Sequence, residues 1–339
     1  MLTIAYIGFG NSVIKYHLPF IKDRDDILVK YVYRRMEDRN TPFELQREKK
    51  YPTFTFTSDL DVVLNDESVD CVIINTPDQT HAMYAKKVLH ANKHVLVEKP
   101  FTLTVKEAKE IFELANKKEL VCYVNQNRRY DTDFLSLKEA ISSNKLGELI
   151  QIESYYNYKT PQDYKIKKRE LGWFLFSLGI HNVDQMISCF GKPTQVDYDI
   201  RSFVTEHAED YFTITLNYNK LSVKVTSSLF AKIQKPRFYV EATNGCFIKY
   251  PQGNLSKVKL EEPISYPMKP EDESNYGKIV YLEDNNLQEQ AIVSKTTDYG
   301  KVYTDLINCI KHKHPPVVTQ QQVLTTLEII ENALNYLKE

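Results

Sequence analysis

The strongest constraint on this 339-residue chain is an alternation over its first third. Short apolar runs alternate with helical stretches six times in the first 124 residues. Leu2–Ile7 opens the series, and further runs cover residues 28–33, 53–57, 71–74, 94–97 and 120–124. A helical stretch starts at about Ser12. Another follows Thr80, a candidate cap, with Ala82, Ala85, Val88 and Leu89 on one face. A third follows Thr104, which with Glu107 makes a capping-box pattern before Val105, Ala108, Ile111, Phe112 and Ala115. Strands this short and uniformly apolar are buried on both faces, which requires a parallel sheet covered by helices. The sequence therefore predicts an α/β fold whose N-terminal domain is a doubly wound Rossmann sheet. A ligand of such a sheet lies at the carboxyl ends of its strands.

The rhythm changes after about residue 130. A helix over 132–144 is followed by strand-like runs at 150–158, 194–201, 210–216, 221–228, 238–242 and 246–250, interrupted by a helix near 178–190. Successive strands without intervening helices predict an antiparallel sheet, so the second domain reads as α+β. Two helices close the chain, on either side of Pro315-Pro316. Residues 251–298 are polar and read as hairpins and loops. The expected division is a dinucleotide-binding domain over 1–124 and a substrate-binding and oligomerisation domain over 125–339, as the length allows at about 100–200 residues per domain.

Composition removes several function classes. Lys plus Arg is 44 and Asp plus Glu is 45, so no global positive field exists for nucleic acid or anionic lipid. No apolar run approaches the roughly 20 residues of a membrane helix. No signal peptide is apparent at Met1-Leu2-Thr3-Ile4. The five cysteines are widely spaced, with no Cys-x-x-Cys, which predicts reduced thiols, a cytoplasmic setting and no metal site. His312 and His314 lack nearby carboxylates, and the basic run at 165–169 reads as a solvated loop.

Four places could carry chemistry. Gly8-Phe9-Gly10-Asn11-Ser12-Val13 follows a strand and opens a helix, as a dinucleotide site requires. Gly8 permits the tight turn and Gly10 lets the backbone approach a pyrophosphate, but Val13 stands at the third glycine position. Tyr33-Arg34-Arg35 ends the second strand, where NAD sites usually place an acid. Arg34 or Arg35 could instead pair with a 2′-phosphate, worth about 1.5–3 kcal/mol, which favours NADP over NAD. Alternatively both arginines are solvated, and Glu37 or Asp38 reaches the ribose. Glu98-Lys99-Pro100 ends the fifth strand, where an ammonium could position a hydroxyl or polarise a carbonyl; as residue types alone, Lys-Pro is better read as a surface turn. His181 could be a general acid/base, with Asp184 one helical turn on to orient it, although a lone helix-start histidine is more often a core residue.

Taken in order and spacing, these features resemble the Gfo/Idh/MocA oxidoreductases, the glucose–fructose oxidoreductase and inositol dehydrogenase family. The marks are Gly8-Phe9-Gly10, Thr76-Pro77-Asp78-Gln79-Thr80-His81, Glu98-Lys99-Pro100, Gln126-Asn127-Arg128-Arg129, Lys145-Leu146-Gly147-Glu148 and His181-x-x-Asp184. The stretch from Ile7 through Tyr16-His17-Leu18-Pro19 is similar to a branch of poorly characterised bacterial oxidoreductases. The resemblance covers essentially the whole chain. It implies a large open, mostly antiparallel C-terminal sheet through which members dimerise or tetramerise. It implies Lys99 as the lysine meeting substrate and cofactor and His181 as the acid/base. Thr76, Pro77, His81, Glu98 and Gln126 would join the cofactor site, and Tyr130, Ser177 and Asp184 the substrate site.

One departure matters. The family commonly has an Asp four residues before the histidine, and this chain has Ser177, which cannot serve as a carboxylate base. Either Lys99 and His181 suffice, Tyr130 substitutes, or turnover is lost. The expected activity is NAD(P)-dependent hydride transfer to or from a sugar, cyclitol or related polyol. The alternatives are a non-catalytic NAD(P) or sugar sensor and a redox-neutral NAD-dependent glycosidase.

Overall fold

The structure is a computed structural model that describes residues 1–157, 172–204, 208–251 and 268–336. The basic run at 165–169 lies outside the described residues, as does 158–164 of the loop around Tyr155 to Tyr164, whose Asn and Tyr content the sequence offers as shaping specificity. The chain forms two compact units. The first comprises Met1–Gln126 and Tyr299–Gln320, and the second the described residues from 127 to 298 and from 321 onward.

The first unit contains six strands: β1 (Leu2–Ile7), β2 (Ile27–Tyr33), β3 (Thr55–Thr57), β4 (Cys71–Ile74), β5 (His94–Val97) and β6 (Cys122–Val124). All pairings are parallel, in the order β3-β2-β1-β4-β5-β6. Every residue of β4 is buried, as are Ile4 to Ile7 of β1, which is why these runs carry no polar alternation. The strand order reverses between β1 and β4. Such a switch point opens a crevice at the strands' carboxyl ends, because the flanking connections leave to opposite faces.

The helices α1 (Leu18–Ile21), α2 (Pro42–Lys49), α3 (Leu60–Leu64), α4 (His81–His90) and α5 (Val105–Lys117) connect these strands. Thr104 caps α5 as its sequence predicts, accepting from the Glu107 N–H at 3.2 Å. Thr80 precedes α4 but makes no side-chain cap. Its hydroxyl donates to the Pro77 carbonyl at 2.7 Å, a local bond that competes with capping. The helix expected from Ser12 is a π-helical turn, Val13–His17, continued by α1. Val13, at the place of the third glycine, is fully buried in that turn. π turns are rare and occur frequently at functional sites.

The second unit contains α6 (Thr132–Ser142), β7 (Leu149–Tyr155), α7 (Ile180–Phe190), β8 (Gln195–Arg201), β9 (Tyr211–Asn217), β10 (Ser222–Ser228), β11 (Phe238–Ala242), β12 (Gly245–Lys249), β13 (Gly277–Glu283) and β14 (Asn286–Ile292). The eight strands lie in the order β14-β13-β12-β11-β7-β10-β9-β8. Among the described residues only the β7–β10 pair of this sheet is parallel. Phe212, Ile214 and Leu216 alternate with half-buried residues along β9, giving the sheet one core face. The hairpin β13–β14 occupies part of the polar stretch. Asp284 and Asn285 turn it with φ of 50° and 61°, the conformation a tight two-residue hairpin needs.

The two last helices are α8 (Gly300–His312) and α9 (Gln320–Tyr336). The sequence groups α8 with the second domain, but its contacts tie it to the first unit. The Tyr123 hydroxyl donates to Asp305 at 2.5 Å, and the Tyr6 and Tyr303 hydroxyls lie 2.7 Å apart. Among the described residues, no helix is long and apolar enough to cross a membrane.

Candidate functional site

Within the first unit, a cavity of about 380 Å³ opens at the switch point. The β1 turn gives it Gly8, Phe9 and Gly10, and the end of β2 gives Tyr33, Arg34 and Arg35. The end of β4 adds Asn75, Thr76 and Pro77, while Arg47 of α2 and Tyr84 of α4 close the wall.

Local packing fixes the glycine turn. The Gly8 N–H donates to the Tyr33 carbonyl at 2.9 Å, and the Asn75 N–H to the Ile7 carbonyl at 2.8 Å. Gly8 has φ +93°, and a Cβ on it would stand 2.4 Å from the Asn75 carbonyl oxygen. Phe9 anchors the turn by turning its ring inward, edge-on to Tyr51 and Phe56 at 5.3 and 5.2 Å. Gly10 is different. A Cβ there would meet nothing within 4 Å, so the chain leaves open space beside that backbone. Asn75 Oδ1 is buried at the same cavity and has no hydrogen-bond partner. An open cradle over a helix-entry turn and an orphaned acceptor fit a dinucleotide, whose pyrophosphate needs close backbone approach and whose amide or hydroxyl groups can donate.

The arginines divide their work. Arg34 lines the cavity but is nearly buried. Its guanidinium donates to Glu44 at 2.5 Å, Glu48 at 2.8 Å and the Asp38 carbonyl at 2.6 Å. These bonds make Arg34 the brace between the end of β2 and α2, not a cation waiting for a phosphate. Arg35 is exposed, clasped by Asp38 at 2.8 Å and paired with Glu37 at 3.2 Å. Glu37 and Asp38, kept open as ribose partners, line the same cavity. Arg47 reaches Glu44 at 3.1 Å and the Phe9 carbonyl at 3.4 Å. Sequence reasoning missed Arg47, Tyr84 and Asn75 as wall residues. Arg47 and Tyr84 have no local signal, since tertiary packing brings them in, whereas Asn75 directly follows β4 at a strand's carboxyl end.

Thr76 and Pro77 line the cavity, while Asn11, Ser12, Val13, His81, Glu98, Lys99 and Gln126 are not among its lining residues. His81 is buried, its ring nitrogens 2.7 Å from the Pro100 carbonyl and 2.9 Å from the Thr76 carbonyl. It thereby ties the β4 end to the turn after β5. Gln126 is buried just beyond β6. Lys99, half-buried, follows β5, and its N–H donates to Glu98 at 3.0 Å.

In the second unit, His181 lies buried in the first turn of α7, directly after a π-helical turn, Leu175–Gly179, that contains Ser177. Both oxygens of Asp184 receive the Arg129 fork at 2.7 Å, a buried bidentate pair, so the structure gives Asp184 to Arg129 and not to the His181 ring. Tyr130 sits half-buried in a short 3₁₀ turn, Asn127–Tyr130. The carboxylate of Glu209 accepts the Gly172, Phe174 and Leu175 N–H groups, each at 2.8 Å, and so anchors the entry to the π turn.

Two family profiles cover nearly all of the chain. "Oxidoreductase family, NAD-binding Rossmann fold" matches residues 2–126, and "Oxidoreductase family, C-terminal alpha/beta domain" matches residues 138–339. The chain belongs to the Gfo/Idh/MocA oxidoreductase family. It is 39% identical to the uncharacterised oxidoreductase YhhX of Escherichia coli, over 98% of this chain and 95% of that one. It is 28% identical to the NADP(+)-dependent scyllo-inositol 2-dehydrogenase IolW of Bacillus subtilis, over 100% of this chain and 94% of that one. A crystal structure of an oxidoreductase from Bacillus cereus superposes with a TM-score of 0.90 at 37% identity, covering 98% of this chain and 95% of that one. Membership makes this chain an NAD(P)-dependent oxidoreductase.

Proposed function

We propose that this chain oxidises a secondary alcohol of a cyclitol, sugar or related polyol, or reduces the matching ketone, with NADP preferred to NAD. The observation that carries the reading is the switch-point cavity, with its open cradle at Gly10 and two arginines, Arg35 and Arg47, on its walls. Arg35 suits a 2′-phosphate better than the buried Arg34, because it is exposed and its Asp38 and Glu37 pairs are surface pairs that a phosphate can displace, with Arg47 beside it on the wall. The cyclitol class rests on the likeness to IolW, which extends over the whole of this chain.

When bound, the nicotinamide supplies the hydride acceptor or donor. The protein supplies position and proton transfer. Lys99 holds the substrate oxygen and stabilises the charge that develops on it. His181 takes the hydroxyl proton in the oxidation and returns it in the reduction. Ser177 stands where the family commonly has an Asp, four residues before His181.

The test is a panel of scyllo-inositol, myo-inositol, other polyols and keto-sugars with each dinucleotide, followed at 340 nm. A cyclitol-dependent absorbance change, faster with NADP than with NAD, is the expected result. Binding of cofactor without any absorbance change across the panel would point to a sensor. Glycoside cleavage without net cofactor reduction would point to a glycosidase.

A further inference from the structure

Beside the cofactor cavity, a single carboxylate gathers an unusual set of donors. Glu98 ends β5 and is buried. Its Oε1 accepts from His17 Nε2 at 2.7 Å, Asn125 Nδ2 at 2.8 Å and the Ser12 hydroxyl at 3.1 Å, with Asn75 Nδ2 at 3.5 Å. Its Oε2 accepts the Lys99 N–H at 3.0 Å. Every one of these partners can donate, and together they come from the glycine-turn helix and from the ends of β4, β5 and β6. His17 is braced from behind. Its Nδ1 lies 2.7 Å from the Tyr303 hydroxyl, which lies 2.7 Å from that of Tyr6. Burial pushes both phenols well above the ordinary tyrosine range, so they remain protonated.

Burial alone would raise the Glu98 carboxyl. The His17 hydrogen bond and charge, the Lys99 charge and the Asn125 bond outweigh it and bring the group down to about 2. Glu98 is thus a fixed anion across the working pH range. A doubly wound sheet places one mononucleotide half over β1–β3 and the other over β4–β6. The adenosine walls of the cavity, Tyr33, Arg35 and Arg47, belong to the first half. The Glu98 carboxylate lies at the ends of the second.

We propose that Glu98, with His17 as its positioning residue, poises the bound cofactor by favouring the cationic oxidised nicotinamide over the neutral reduced ring. The inference rests on the dinucleotide reading of the cavity. A fixed charge acts on the difference between the two redox forms, whereas hydrogen bonds to the carboxamide or ribose act on both alike. A buried carboxylate facing only donors suits that role, and of its hydrogen-bond partners Asn75 lines the cavity.

The test measures, on the full chain, dissociation constants for the oxidised and reduced forms of whichever dinucleotide the wild type binds. In Glu98→Gln the oxidised form should weaken relative to the reduced by about tenfold, or about 30 mV for the bound two-electron couple. The second variant, His17→Phe, leaves Glu98 in place and removes its strongest donor. Its carboxyl then rises, so the preference for the oxidised form should fall more steeply between pH 8 and 5 than it does in the wild type. The other ionisable groups facing the carboxylate are Lys99 and Asp78, with Tyr303 and Tyr6 beyond His17, and they are common to both proteins. An unchanged oxidised-to-reduced ratio in both variants would overturn the inference alone. A wild type that binds neither form would overturn the cofactor reading and the inference with it.

Discussion

Replacing Lys99 by Met is expected to lower kcat/KM for cyclitol oxidation by about 10³-fold, or about 4 kcal/mol, while changing the dinucleotide dissociation constant less than about threefold. Methionine keeps the length of the lysine stem as far as Cε, so the substitution removes the ammonium. The turn itself is held by main-chain and neighbouring groups: the Lys99 N–H on Glu98, and the Pro100 carbonyl on His81. On the proposed role of Lys99, the energy lost is the charge stabilisation on the substrate oxygen, which grows as the proton leaves. Loss of kcat with retained cofactor binding distinguishes this from a folding defect. Wild-type kcat in the variant, measured at 340 nm beside a cofactor titration, would remove Lys99 from the chemistry.

The second large effect falls on stability. Gly8→Ala meets two penalties at once: a φ of +93° that an L side chain resists, and a Cβ 2.4 Å from the Asn75 carbonyl oxygen. Because the obstacle is backbone, relief requires the β1 or β4 end to shift, breaking the Asn75 N–H bond to Ile7. The first unit should lose about 3 kcal/mol or more, read as an earlier urea midpoint, and the variant should bind dinucleotide poorly. A urea midpoint equal to that of the wild type would show that the turn is looser than its packing indicates.

The parallel sheet was legible in the sequence because its strands are buried on both faces, leaving uninterrupted apolar runs such as Cys71-Val72-Ile73-Ile74. The polar stretch at 251–298 read only as hairpins and loops, and the strands of the β13–β14 hairpin could not be placed in it, because all of β14 but Ile292 is exposed and so carries no alternation. Its Asp284-Asn285 turn was the one local clue. The glycine turn and the end of β2 were found from motif context. The role of Arg34 was not, since it depends on Glu44 and Glu48, ten and fourteen residues away on another element. The His17–Glu98 pair spans 81 positions and has no sequence signature at all. Pairings of this kind follow from topology, which brings strand ends together whatever their separation along the chain.

The dinucleotide assignment is tested most directly at Gly10. A Cβ there meets nothing, so Gly10→Ala should leave the urea midpoint within about 0.5 kcal/mol of wild type. The same methyl group would occupy the space a pyrophosphate needs, and calorimetric titration should show the dinucleotide affinity falling by about tenfold or more. A stable Gly10→Ala protein that binds NADP and NAD as tightly as wild type would contradict a cofactor lying across the β1 turn.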